Sequence, residues 1–203
     1  MKVDYVPIFE DSLLLVDLDI NNDKLANECQ HVRDTQDGVQ HSNVGGYQSP
    51  ALFKSTTTQY TEMNRLIDSI QHVINGYVNK YNFKHSKAVE IGNFWLNFNE
   101  KKDMNDYHTH PHSVFSGAYY VKAPENCGTI NFFRDTNVTD TEWGYFFSDS
   151  NGVGEPMHKF LHRVQPRAGL LVLFPSYYPH SVSPNNSDET RLSISFNSQA
   201  IIL

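Results

Sequence analysis

From Val89 onward the apolar residues of this chain recur at every second position, and that period constrains the fold more than any other feature. Residues 89–99 alternate well enough to form a strand with one buried and one polar face. Seven more short strands are predicted at residues 108–121, 129–133, 144–147, 159–164, 170–174, 180–184 and 191–196. Residues 100–106 form a polar turn, and Pro124, Gly128, Gly152, Gly154, Pro156, Gly169, Asn185 and Asn186 separate the later strands. Eight strands in roughly 110 residues with no helix between them predict an antiparallel barrel or jelly roll.

The first part of the chain reads differently. Residues 3–9 and 12–17 are short apolar stretches expected to add strands to a sheet. Asn22 is placed to cap a helix over residues 23–32, with Leu25, Cys29 and Val32 on one side. Residues 34–50 are polar, hold Gly38, Gly45 and Gly46, and read as a long loop, a length often functional or mobile. Residues 59–81 carry the strongest helical pattern: Leu66, Ile67, Ile70, Val73, Ile74, Tyr77 and Val78 fall on one face, with Gly76 a mild cost. The fold class expected is mainly β with supporting helices, a double-stranded β-helix of jelly-roll or cupin-like shape with one long buttressing helix. Residues 1–203 are expected to form one domain, 1–88 packing on the barrel and 89–203 forming it.

Composition narrows the function. The net charge of -7 lacks the basic face that phosphate neutralisation needs, so nucleic acid is not an expected partner. It leaves room for a small anion held by one buried arginine. Cys29 and Cys127 are far apart and make no paired metal spacing. The sequence opens Met-Lys-Val-Asp-Tyr without a signal peptide, so both are expected to be reduced thiols of a cytoplasmic protein. No apolar run approaches the roughly 20 residues that cross a bilayer, so no membrane partner is expected.

The chemistry centres on Tyr107-His108-Thr109-His110-Pro111-His112. On a strand, His108 and His110 at i and i+2 share one face, roughly 7 Å apart at the backbone, near enough to hold one ion. A third ligand has to come from another strand. His180 is the natural supplier, because it follows the buried run Leu170-Leu171-Val172-Leu173-Phe174 and a Pro-Ser-Tyr-Tyr-Pro turn. The remaining histidines, His31, His41, His72, His85, His158 and His162, read as ordinary hydrogen-bonded or half-exposed side chains. His112 shares the face in principle, but Pro111 breaks the pairing, so it is expected beside the pocket. Arg191 lies eleven residues after His180, with the Ser193 hydroxyl on the same face, and its planar fork is a seat for a small carboxylate. Spacing alone equally allows Arg191 to face water on an edge strand.

These segments, taken in order, resemble one family. His108-Thr109-His110-Pro111, Ser116-Gly117-Ala118-Tyr119-Tyr120-Val121, Leu173-Phe174-Pro175-Ser176, His180 and Arg191-Leu192-Ser193 are similar to stretches of the prolyl-hydroxylase-like Fe(II)/2-oxoglutarate-dependent oxygenases, as are Gly45-Gly46-Tyr47-Gln48-Ser49 and Trp95-Leu96-Asn97. The resemblance implies His108 and His180 as iron ligands, Arg191 assisted by Ser193 as the seat of the far carboxylate of 2-oxoglutarate, and Tyr120 facing the same carboxylate. It implies Fe(II) as cofactor, 2-oxoglutarate and O2 as cosubstrates, and hydroxylation of a C–H bond in a peptidyl or small-molecule substrate. Residues 34–50 and 135–156 are the candidate lids.

The departure is at His110, where the family pattern usually carries Asp or Glu. Three neutral imidazoles leave a dication uncompensated, which makes a Zn(II) site of three His and one water a competitor. Asp106, two residues before His108, is an alternative third ligand that would move His110 out of contact with the metal. Two rival functions follow: a cupin-type three-His dioxygenase that uses no 2-oxoglutarate, and a non-catalytic Zn(II) barrel that binds a ligand or partner.

Overall fold

A computed structural model describes residues 12–78, 87–133 and 161–202. The strands expected over 3–9 and 144–147, the end of the helix beyond residue 78, the 135–156 lid, His85 and His158 lie outside the described residues.

Two antiparallel sheets carry the fold. The larger orders its strands β1 (Leu14–Asp17), β9 (Leu170–Pro175), β6 (Phe115–Lys122), β11 (Arg191–Ile202), β4 (Lys87–Asn99) and β3 (Tyr47–Gln48). The smaller orders β2 (Asn43–Val44), β5 (Met104–His108), β10 (His180–Val182), β7 (Ile130–Phe133) and β8 (Leu161–Val164). The strand period sends alternate residues to opposite faces, so the large sheet has two interiors. Phe94, Leu96, Tyr119, Leu171, Leu173, Leu192, Ile194 and Phe196 pack toward the helices. Ala118, Tyr120, Leu170, Val172 and Phe174 pack toward the small sheet and meet Ile130, Phe132 and Val164 there. That double covering is why β6 and β9 read as unbroken apolar runs. This is the jelly roll the alternation predicts.

The helices cover the outer face of the large sheet. Helix α2 (Thr61–Val78) buries Met63, Leu66, Ile67, Ile70, Ile74 and Tyr77, the face its periodicity predicts. Helix α1 (Asn22–Thr35) buries Leu25, Ala26, Cys29 and Val32. Its cap is Asn21 rather than Asn22: the Asn21 side chain accepts from the Lys24 N–H, which frees the Asn22 side chain to accept from the Tyr119 hydroxyl at 2.7 Å. The Glu28 carboxylate accepts from the N–H groups of Glu62 and Met63 at 3.0 and 2.8 Å, capping α2 from α1. Among the described residues no helix is long and apolar enough to cross a membrane.

Two sequence expectations are corrected. Residues 34–50 are not loop throughout: β2 and β3 lie within them and pair with β5 and β4, so one short segment joins both sheets. The crossing is made at Gly45 and Gly46, with φ of 72° and 66°, a conformation that β-carbon-bearing residues avoid. Nor is 108–121 one strand. β5 ends at His108 and β6 begins at Phe115 in the other sheet. Pro111 has no N–H for a ladder, and His112 sits at φ 66°, so the chain turns there.

Candidate functional site

His108, the last residue of β5, stands directly opposite His180, the first residue of β10. One register step along, Val182 pairs with Asn105, so three steps on β5 match two on β10. That bulge inserts one extra residue, and a bulge re-aims the side chains around it. Asn105 and His108 therefore line the same cavity, while Asp106 is exposed. Simple alternation places Asp106 beside His108, and the bulge is what separates them. Among the described residues, the group of side chains able to share an ion is His108, His110 and His180. His110 joins it from beyond the strand end, held by its N–H donating to the Ser176 carbonyl at 3.1 Å.

The three imidazoles are close and oriented. Ring centroids are 4.3 Å apart for His108 and His180, 4.9 Å for His108 and His110, and 5.0 Å for His110 and His180. Their ligand nitrogens all lie within 4.8 Å of one another. A carbonyl oxygen only accepts, so Nδ1 of His108 donates to the Asp106 carbonyl at 2.7 Å and Nδ1 of His180 to the Tyr178 carbonyl at 2.9 Å. Each bond fixes the tautomer and leaves Nε2 with its lone pair toward the cluster. The Nε2 atoms of His110 and His180 are 3.2 Å apart. Two nitrogens each about 2.1 Å from one cation would stand about 3.0–3.4 Å apart, so the donor set fits a metal.

The surroundings keep these rings neutral. Burial is the main cause in each case. It lowers the pKa of His108, against which the bond to the Asp106 carbonyl pulls up. It takes His110 down to about 4, with repulsion from His108 adding to it. His180 is taken down to about 3 by burial and then His108. Phe174 and Phe132 wall the His180 ring at 4.7 and 5.9 Å, and Trp95 lies 5.8 Å from His110. A neutral imidazole is the metal-binding form.

Arg191, the first residue of β11, is fully buried. Its Nη1 donates to the carbonyls of Cys127 and Ser183, while Nε and Nη2 have no partner among the described residues. These two orphaned donors form one edge of the guanidinium, the edge that grips both oxygens of a carboxylate. Burial lowers the pKa of Arg191, and Tyr120 and then Cys127 oppose that. Ser193 follows on the same face and pairs with Tyr120 of β6 and Asn97 of β4. One narrow cavity is lined by the three histidines together with Tyr120, Ser193 and Asn99. The edge-strand alternative for Arg191 is therefore wrong, because the small sheet covers that face.

Two placements went unforeseen. His112 is exposed in the turn and does not line the cavity. Asn97 does line it, is buried, and leaves its Oδ1 without a partner. Alternation along β4 puts Asn97 on the same face as Trp95, which was the available signal.

Comparisons with known proteins give a family match and a shared fold. Residues 93–197 match a family model described as "Putative 2OG-Fe(II) oxygenase". A prolyl-4-hydroxylase from Pseudomonas putida superposes with a TM-score of 0.62 at 16% identity, covering 93% of each chain. A Trichoplax adhaerens prolyl hydroxylase, in complex with a hypoxia inducible factor peptide fragment, superposes at 0.58 with 11% identity, over 93% of this chain and 84% of that one. HygX from Streptomyces hygroscopicus, with nickel and 2-oxoglutarate bound, superposes at 0.59 with 10% identity, over 93% and 83%. At these identities the likeness is one of fold. No curated protein matches the sequence.

Proposed function

Because this chain belongs to the 2OG-Fe(II) oxygenase family, we propose that His108, His110 and His180 hold its Fe(II) and that Arg191, with Ser193 and Tyr120, seats the far carboxylate of 2-oxoglutarate. The observation that carries this is one cavity lined by three neutral imidazoles and by Tyr120 and Ser193, beside a buried Arg191 guanidinium edge that lacks an acceptor among the described residues. Readings without 2-oxoglutarate leave that edge unpaired, a buried-donor cost of about 1–3 kcal/mol for each group. Zn(II) as the resident metal finds no support, since the matched family is named for iron.

Bound Fe(II) and 2-oxoglutarate supply the oxidation: the oxoacid and O2 become succinate and carbon dioxide, and a substrate C–H becomes C–OH. The chain's own groups do the rest. The carbonyls of Asp106 and Tyr178 hold two imidazoles with Nε2 forward. Arg191 fixes one end of the diacid, so that its oxoacid end points at the histidines. Phe132 and Phe174 keep water from the His180 side. The substrate is a peptidyl or small-molecule C–H compound, reached through the open side of the cavity at Trp95 and His110.

The test is anaerobic loading of the protein with Fe(II) and 2-oxoglutarate. The expected result is a visible charge-transfer band, lost in Arg191→Ala while Fe(II) still binds. Two charge-assisted bonds disappear in that variant, so 2-oxoglutarate affinity should fall at least hundredfold. A band of unchanged midpoint in Arg191→Ala would overturn the assignment of the carboxylate seat.

A further inference from the structure

A second, wider cavity of about 350 Å³ opens beside the histidine cluster and shares His108 and His110 with it. Resting on the oxygenase reading above, we propose that Gln48, Trp95 and Asn197 of this cavity select the substrate, an uncharged, amide-bearing chain several residues long.

The charge argument comes first. Among the described residues that line this cavity there is no Asp, Glu, Lys or Arg, although the chain carries a net charge of -7. With the charge of the cation on His108 and His110 balanced by the bound diacid, an ionised group entering this cavity would leave water for a wall without a counter-ion, which costs far more than seating a neutral amide. The wall is made of amides, hydroxyls, one indole, the Ala51 methyl and three imidazoles, those of His41, His108 and His110.

The hydrogen-bonding argument is more specific. Gln48 is only 5% exposed, and its Oε1 has no donor among the described residues. A buried acceptor in that state calls for an N–H or O–H from a ligand. Asn197 offers the converse. Its Oδ1 already accepts from the Ser116 hydroxyl at 2.7 Å, which leaves Nδ2 as a donor for a carbonyl. The indole of Trp95, 5.8 Å from the His110 ring, lies on β4 between them and suits the flat face of an amide or a ring.

Register sets the length. Gln48 pairs with Asn97 and Asn197 pairs with Asn93, so the two amides flank β4 on opposite sides, four residues apart along it. That is roughly 13 Å along the strand and about 10 Å across two strand spacings. Side chains stand roughly perpendicular to a sheet, so the two amides keep most of that separation, about 16 Å on the diagonal; two hydrogen bonds take up roughly 6 Å of it, and the remainder is more than one residue of about 3.6 Å can span. A chain of roughly three residues or more can.

The probes are an N-acetylated, C-amidated pentapeptide of Ala, Gly and Pro, the same peptide with a central Glu or Lys, and N-acetylalanine amide. Calorimetry on protein loaded with Mn(II) and 2-oxoglutarate gives each affinity. The neutral pentapeptide is expected to bind at least tenfold tighter than the charged peptides or the single residue. Gln48→Met should weaken it about tenfold with 2-oxoglutarate affinity unchanged, and the isosteric Gln48→Glu should shift preference to the Lys peptide. Equal binding of the charged peptides, an unaltered affinity in Gln48→Met, or a single residue as tight as the pentapeptide would each overturn the proposal. If the native protein fails to bind 2-oxoglutarate, the oxygenase reading falls separately, and the same peptide comparison on metal-free protein still decides the seat.

Discussion

His108 and His180 are cross-strand partners whose rings lie 4.3 Å apart, each with Nδ1 bonded to the carbonyl two residues before it. Neighbouring strand ends thus present two lone pairs to the same point before any cation arrives. Substituting either ring by Ala removes one of three ligands and is expected to abolish stoichiometric Fe(II) uptake. His112 sits in an exposed turn at positive φ, a conformation Asn tolerates, so His112→Asn should bind iron as the native protein does. Metal analysis after gel filtration checks all three, and full iron in the His180→Ala protein would refute the ligand map.

The absence of a carboxylate among the three rings has its own consequence. Neutral ligands leave a dication's charge to be balanced by the bound oxoacid, so iron affinity should rise strongly when 2-oxoglutarate is present. His110→Asp puts one negative charge at that position. It is expected to tighten Fe(II) binding at least tenfold in the absence of 2-oxoglutarate and to shrink the gain on adding it. Anaerobic Fe(II) titrations with and without the oxoacid measure both quantities.

Acid should destabilise the metal-free protein through the same rings. His110 and His180 titrate at about 4 and about 3 in the folded state, below the ordinary 6.5, because burial disfavours their charged forms. Between those values and 6.5 the unfolded chain binds more protons than the folded one. Stability is therefore unaffected above 6.5 and falls as pH drops toward the folded values. Urea midpoints taken from pH 7 to pH 5 should decline, and His180→Asn, which removes one such group, should flatten the decline. An equal slope in both proteins would show that other groups carry it.

Much of this was legible in the chain because alternation and helical spacing are local. The 89–99 strand, the α2 face, and His180 after a buried run all follow from neighbours in sequence. What was hidden depends on partners. The bulge that turns Asp106 outward exists only relative to β10. β2 and β3 are two residues each, too short for any period to register, so 34–50 reads as loop. Arg191 could equally face water until the small sheet is known to cover its face. The strand break after His108 did have a local signal in Pro111, which outweighed the apolar continuity toward Val121.

Two glycines make opposite predictions from their surroundings. A β-carbon at Gly76, within α2, meets nothing within 4 Å, so Gly76→Ala removes only the backbone freedom of the unfolded chain. It should stabilise the protein by about 0.5–1 kcal/mol. A β-carbon at Gly117 of β6 would lie 2.5 Å from both Phe196 Cζ and the Val172 carbonyl oxygen. The ring can turn only into a closely packed core, and the carbonyl belongs to the neighbouring strand β9, so Gly117→Ala has to spread β6 from β9 or displace Phe196. A loss of about 1–3 kcal/mol is expected. Because the other face of β6 lines the histidine cavity, that spreading should also weaken 2-oxoglutarate binding, whereas Gly76→Ala should leave it unchanged. Thermal unfolding with and without 2-oxoglutarate on the two variants separates these outcomes. A Gly117→Ala protein as stable as the native one would mean that β6, β9 and the Phe196 ring pack less tightly than these distances require.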